Sequence, residues 1–144
     1  MLVVDLPCLD IQNGKGPRSA LFLNDRVPTP EPKEGEALVR VHAFGINRMD
    51  ILQREGLYPL PPQAPPTLGV EFSGTVKSLG GKEPSGDSCG FKVGDEVFGL
   101  AYGGAYAEYV AVSTKMLLKK PPSMSWEVAA GIPEVSVELS VGSF

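Results

Sequence analysis

The 144 residues predict a mainly β domain, a small antiparallel barrel or sandwich carrying one or two short helices. Three observations lead there. The chain holds 17 glycines and 14 prolines, which punctuate it too often for long helices. Between them lie short stretches in which apolar and polar residues alternate, the period of a half-buried strand. The length suits one domain with a single core.

The elements follow in order. Met1 to Asp5 is an apolar run that reads as a strand, Gln12 to Pro17 as a turn, and Ala20 to Leu23 as the returning arm. Gly14-Lys15-Gly16 matches neither a Walker nor a dinucleotide spacing, so it reads as plain turn. Pro28 to Pro32 is an extended connector, because proline fixes its own φ and offers no amide. Lys33 to Glu36 turns the chain into a strand where Val39, Val41 and Ala43 alternate with Arg40 and His42.

After a turn at Phe44-Gly45, Asn47 starts a short helix. Asp50 stands three residues on, a variant of the capping box, and Gly56 ends the helix. A proline-rich loop leads to a strand from Gly69 through Leu79, and 81–90 reads as a polar surface loop. Lys92 to Asp95 is a tight turn before a strand at Glu96 to Gly99. Ala105 to Val112 alternates, with Tyr106, Glu108, Val110 and Val112 on one face. Lys115 to Lys119 forms a further strand, stopped by Pro121-Pro122, and Ser123 or Ser125 caps a helical turn through Ala130.

Composition narrows the function. Thirteen basic against 17 acidic residues leave a net charge of -4, which argues against nucleic acid and anionic membranes as partners. No apolar run approaches the ~18 residues of a membrane span. Cys8 and Cys89 are too few for a disulfide framework, so a reducing, cytoplasmic setting is expected.

Ordered blocks carry a resemblance. GINRMDILQREGLYPLPP and LGVEFSGTV are preceded by PEPKEGEALVRVHAFG and followed by KVGDEVFGL, GGAYAEYV and AAGIPE. Together, across roughly Val27 to Glu134, they resemble the zinc-free, zeta-crystallin-like quinone oxidoreductases of the medium-chain dehydrogenase/reductase superfamily. The resemblance implies a GroES-like, partly open β-barrel over residues 1–134, on the substrate side of an NADPH-dependent enzyme acting on a quinone-like small molecule. It also implies that Asn47, Asp50 and Tyr58 are catalytic-cleft residues, with Asn47, Tyr58 and Glu134 meeting the cofactor. Asn47 would bond the nicotinamide end or the substrate carbonyl, and Tyr58 would offer a phenol and a stacking face. The residues alone also permit a plainer reading. Asn47 and Asp50 can be simply a helix cap, and Tyr58 a loop anchor between Gly56 and Pro59.

Zinc is not expected. The zinc-binding branch has a cysteine where this chain has Ile46-Asn47, and a histidine where Val70 follows Gly69. Its structural-zinc loop needs four close cysteines, and only Cys89 lies nearby. His42, the single histidine, reads as structural.

Residues 135–144 depart from the family and read as a strand or an unstructured tail. No glycine-rich strand-to-helix fingerprint occurs, so the Rossmann cofactor domain is absent from these residues. The expectation is an N-terminal domain with little or no activity alone. The alternative is a non-catalytic domain that binds a quinone-like ligand weakly, or associates with a second copy or a full-length relative.

Overall fold

The computed structural model describes residues 7–81 and 90–135. Among the described residues the chain forms seven strands, antiparallel wherever they pair, with two short α-helices, three 3-10 turns and a helical start at 133–135. β1 (Cys8–Ile11) and β2 (Leu21–Asn24) form a hairpin in the register Cys8 to Asn24 and Ile11 to Leu21. The expected hairpin is there, but its first arm is Cys8–Ile11; Met1 to Asp5 lies outside the described residues. The turn between the arms contains Asn13 at φ 60° and Gly14 at φ 78°, two residue types that tolerate the left-handed region.

The second sheet has five strands in the order β6 (Tyr109–Ser113), β3 (Glu36–Phe44), β4 (Glu71–Leu79), β5 (Glu96–Leu100), β7 (Leu117–Lys119). β6 and β7 do not pair with each other, so the barrel stays open, as the resemblance implied. The core lies against this sheet, with Ala37, Val39, Phe72, Val76, Val97, Val110, Val112 and Leu117 buried. Gly74 lets β3 and β4 approach, since a Cβ there would overlap the Arg40 carbonyl.

The strand expected over Ala105 to Val112 is shorter, beginning at Tyr109. The reason is a change of partner. Ala105 and Tyr106 donate their amides to the Gly69 and Leu68 carbonyls, and Tyr106 in turn accepts from the Leu9 amide at 2.7 Å. Only from Glu108, whose carbonyl accepts from the Val41 amide at 2.8 Å, does the chain settle onto β3. Lys115 to Lys119 is likewise split, since Thr114–Met116 makes a 3-10 turn and β7 keeps the remainder.

α1 (Arg48–Glu55) runs from Asn47 to Gly56, as its cap residues predict, with Gly56 at φ 76°. α2 (Trp126–Ala130) is capped by Ser125, whose hydroxyl accepts from the Val128 amide at 3.3 Å. α2 is fastened to the sheet by Ser73, whose hydroxyl donates to the Trp126 carbonyl at 2.7 Å. Residues 133–135 are helical, with Pro133 at the first position, where its missing amide costs nothing. Val135 is therefore not in a strand; 136–144 lie outside the described residues.

Candidate functional site

The site is built around the two buried carboxylates that flank the start of α1. Asp50 is 3% exposed and accepts three hydrogen bonds. Its Oδ2 takes the Asn47 amide at 2.8 Å and the Tyr106 hydroxyl at 2.8 Å, while Oδ1 takes the Gly69 amide at 3.2 Å. Helix α1, the turn before β4 and the segment before β6 are thus tied to one side chain. Burial, and then the bond to the Asp50 carboxylate, push the Tyr106 phenol well above its ordinary value of 10.0, so it stays protonated and donating.

Glu71, also 3% exposed, opens β4. Its Oε1 accepts from the Asn47 side-chain amide at 2.9 Å, and its Oε2 from the Glu134 backbone amide at 3.0 Å. The Glu134 amide is one of the orphan donors at a helix start, so the carboxylate both completes that helix end and orients Asn47. Gly45 makes room for this, because a Cβ at that position would overlap the Glu71 carboxylate. Among the described residues, every buried side-chain nitrogen and oxygen has a partner.

The structure therefore brings Asn47, Asp50 and the Glu134 backbone together, and leaves Tyr58 elsewhere. Tyr58 lies beyond the other end of α1, roughly 12 Å of helix away for eight residues. It is 37% exposed and lines a cavity of about 500 Å³ with Lys15, Gln53, Leu60 and Pro66. Asn47 and Asp50 do form the cap pair that the plainer reading described. That does not exhaust Asn47. Its amide has two N–H donors, and Glu71 takes one of them.

Sequence reasoning missed Glu71 and Tyr106. A signal existed for the first: a lone carboxylate inside the apolar run Leu68 to Phe72, on a strand start buried throughout. Tyr106 gave none, since its partner is 56 residues away.

His42 is structural in its contacts. Its ring stacks on Trp126 at 4.3 Å and Nε2 lies 3.0 Å from the Thr75 hydroxyl. Lys120, buried beside Glu96 at 2.8 Å, sits 4.6 Å from the centre of the same indole. Among the described residues no three His, Cys, Asp or Glu side chains gather in a group that suits a metal ion. None of the described helices is long and apolar enough to cross a membrane.

With this geometry in place, comparison with known proteins fixes the family. The alcohol dehydrogenase GroES-like domain matches residues 33–122. The chain belongs to that family, within the medium-chain dehydrogenase/reductase superfamily. It is 38% identical over 109 residues to the mouse synaptic vesicle membrane protein VAT-1 homolog-like, covering 75% of this chain and 25% of that protein. Against the Pongo abelii quinone oxidoreductase it is 33% identical over 121 residues, covering 82% and 35%. Among solved structures, the human synaptic vesicle membrane protein VAT-1 homolog-like protein superposes with a TM-score of 0.83 at 33% identity, over 96% of this chain and 43% of that one. The Escherichia coli quinone oxidoreductase complexed with NADPH gives 0.72 at 31% identity, over 86% and 36%. The chain spans a quarter to about a third of the length of these curated relatives.

Proposed function

We propose that residues 1–134 supply the substrate-side domain of an NADPH-dependent reductase of quinone-like acceptors. The observation that carries this is the Asn47 amide, held by buried Glu71 with one N–H left to donate. NADPH, when bound, supplies the hydride. Asn47 would then donate to a carbonyl oxygen, of the nicotinamide amide or of the acceptor, and so orient that group. Asp50 acts at one remove by anchoring the start of α1. Glu134 joins the site through its backbone amide on Glu71, at the edge of the cofactor's side of the cleft. Tyr58 offers its ring and phenol to the distal part of a planar acceptor.

The same reading is zinc-independent. The single histidine is committed to Trp126 and Thr75, and the positions that carry zinc ligands in the zinc branch hold Ile46, Asn47 and Val70. The chemistry asks for no metal, because a quinone accepts hydride without Lewis-acid help once the rings are aligned. A reducing, cytoplasmic setting belongs to the reading too, supported by the free, buried Cys8.

The test is steady-state oxidation of NADPH with 9,10-phenanthrenequinone by the protein as its own cells make it, compared with Asn47→Ser. Serine still caps the helix but cannot present an amide. The expected result is a fall in kcat/KM of about 10- to 100-fold with a change in urea midpoint worth less than about 1 kcal/mol. An unchanged kcat/KM sinks the assignment of Asn47.

A further inference from the structure

We infer that the cavity at the C-terminal end of α1 binds planar aromatic molecules bearing an anionic group, with Lys15 as the residue that selects the charge. The inference extends the reading of Tyr58 as a substrate contact. Its test is binding to this chain and not turnover, so a failure here leaves Asn47 untouched.

The cavity is about 500 Å³, within the range of a small-molecule site. Ile11, Tyr58, Leu60 and Pro66 give it apolar and aromatic walls. The loop that carries Lys15 is not free to wander. The Gly16 amide donates to the Arg54 carbonyl at 2.8 Å, and Arg54 Nη1 donates back to the Gly16 carbonyl at 3.0 Å. Lys15 therefore leaves a fixed point, and its aliphatic stem crosses Gly56, where a Cβ would lie 2.8 Å from Lys15 Cδ. The glycine that ends the helix is also the glycine that lets the lysine lie down at the cavity.

The lining carries two charged side chains, Asp10 and Lys15, and of the two it is Lys15 whose hydrogen-bonding capacity is left for a ligand. Asp10, the one carboxylate among the lining residues, already accepts from the Asn24 amide at 3.0 Å and the Thr67 hydroxyl at 3.4 Å. Gln53 spends an N–H on the Pro66 carbonyl at 3.3 Å. The Arg54 guanidinium is taken by Gly16 and Glu55. Among the described residues Lys15 makes no ion pair. A flat ring against Tyr58 with an acidic oxygen toward Lys15 matches both the walls and the charge.

The experiment is a titration of the ¹⁵N-labelled chain with 2-naphthoate, and separately with 2-naphthol, which is flat and uncharged at neutral pH. The inference predicts millimolar or tighter binding of naphthoate, with the largest amide shifts at Lys15, Gly56, Tyr58 and Leu60. It also predicts about fivefold weaker binding of naphthol, and a preference that shrinks in high salt. Lys15→Met, at an exposed position that keeps the stem's bulk, should remove the preference, and Tyr58→Leu should weaken both ligands. Equal affinity for the two ligands overturns the inference. So does a preference that survives in Lys15→Met, shifts that map elsewhere, or no binding of either ligand.

Discussion

The two ends of α1 are built on opposite plans. At the N-terminal end, Asp50 and Glu71 are buried, and between them they accept five hydrogen bonds from four parts of the chain. At the C-terminal end, Gly56, Leu57 and Tyr58 are exposed, and the neighbouring Lys15 makes no ion pair among the described residues. A buried carboxylate is tolerable only when its lone pairs are met, so the first end is over-determined and admits one geometry. The second is held through bonds to backbone groups, Gly16 with Arg54 and Leu57 with Leu52, and leaves its side chains exposed. One end of a short helix is fixed by buried charge, and the other by bonds to backbone groups.

Substitutions should break this contrast in a definite order. Asp50→Ala leaves three donors facing a gap and should cost about 3–5 kcal/mol in urea unfolding; a loss below about 1 kcal/mol would mean the network is incidental. Gly45→Ala pushes a methyl into the Glu71 carboxylate and should cost about 1–3 kcal/mol. Its signature is a shifted Glu134 amide resonance, and an unmoved one would separate Glu71 from the helix it caps.

Tyr106→Phe should cost about 1–2 kcal/mol near neutral pH, since Asp50 keeps its other donors. It should also change the alkaline limb of the stability curve. The folded phenol holds its proton above 10.0, whereas the unfolded phenol releases it there. The unfolded state then binds fewer protons, so stability is full below 10.0 and declines as pH rises beyond it. Tyr106→Phe removes that residue's share of the decline, and a parallel curve would count against a buried phenol.

At the other end the effects are small. Glu55→Gln breaks only the 2.9 Å pair with Arg54, whose carboxylate partner is 42% exposed, and should shift stability by less than about 0.5 kcal/mol. A loss as large as that of Tyr106→Phe would erase the contrast.

Much of this was legible in the sequence because it was local. The helix from Asn47 to Gly56, the tight turn at Gly94 and the alternation of β3 all depend on neighbours within a few residues. Local patterning also set the limits. It placed a strand at Ala105, where the backbone in fact pairs with Leu68 and Gly69 across more than thirty residues. In the same way, Asn47 was readable as a cap, but its partner Glu71 stands 24 residues on and is brought near by the pairing of β3 with β4. Tyr58 shows the converse. Eleven residues from Asn47, it was grouped with it by resemblance, and it follows the C-terminal end of α1, where it lines the cavity with Gln53 and Lys15.

Whether these residues form one side of a two-sided catalytic cleft is decided by pairing an intact mass with an activity. The protein made by its own cells is weighed, and then assayed for NADPH oxidation with 9,10-phenanthrenequinone beside the purified 144-residue chain. Turnover is expected from a species heavier than 15.3 kDa and none from the 144 residues alone. Turnover by the 144 residues at ordinary enzyme rates, or a native species of 15.3 kDa with no activity, would contradict that expectation, and the latter would favour a non-catalytic domain that works by association.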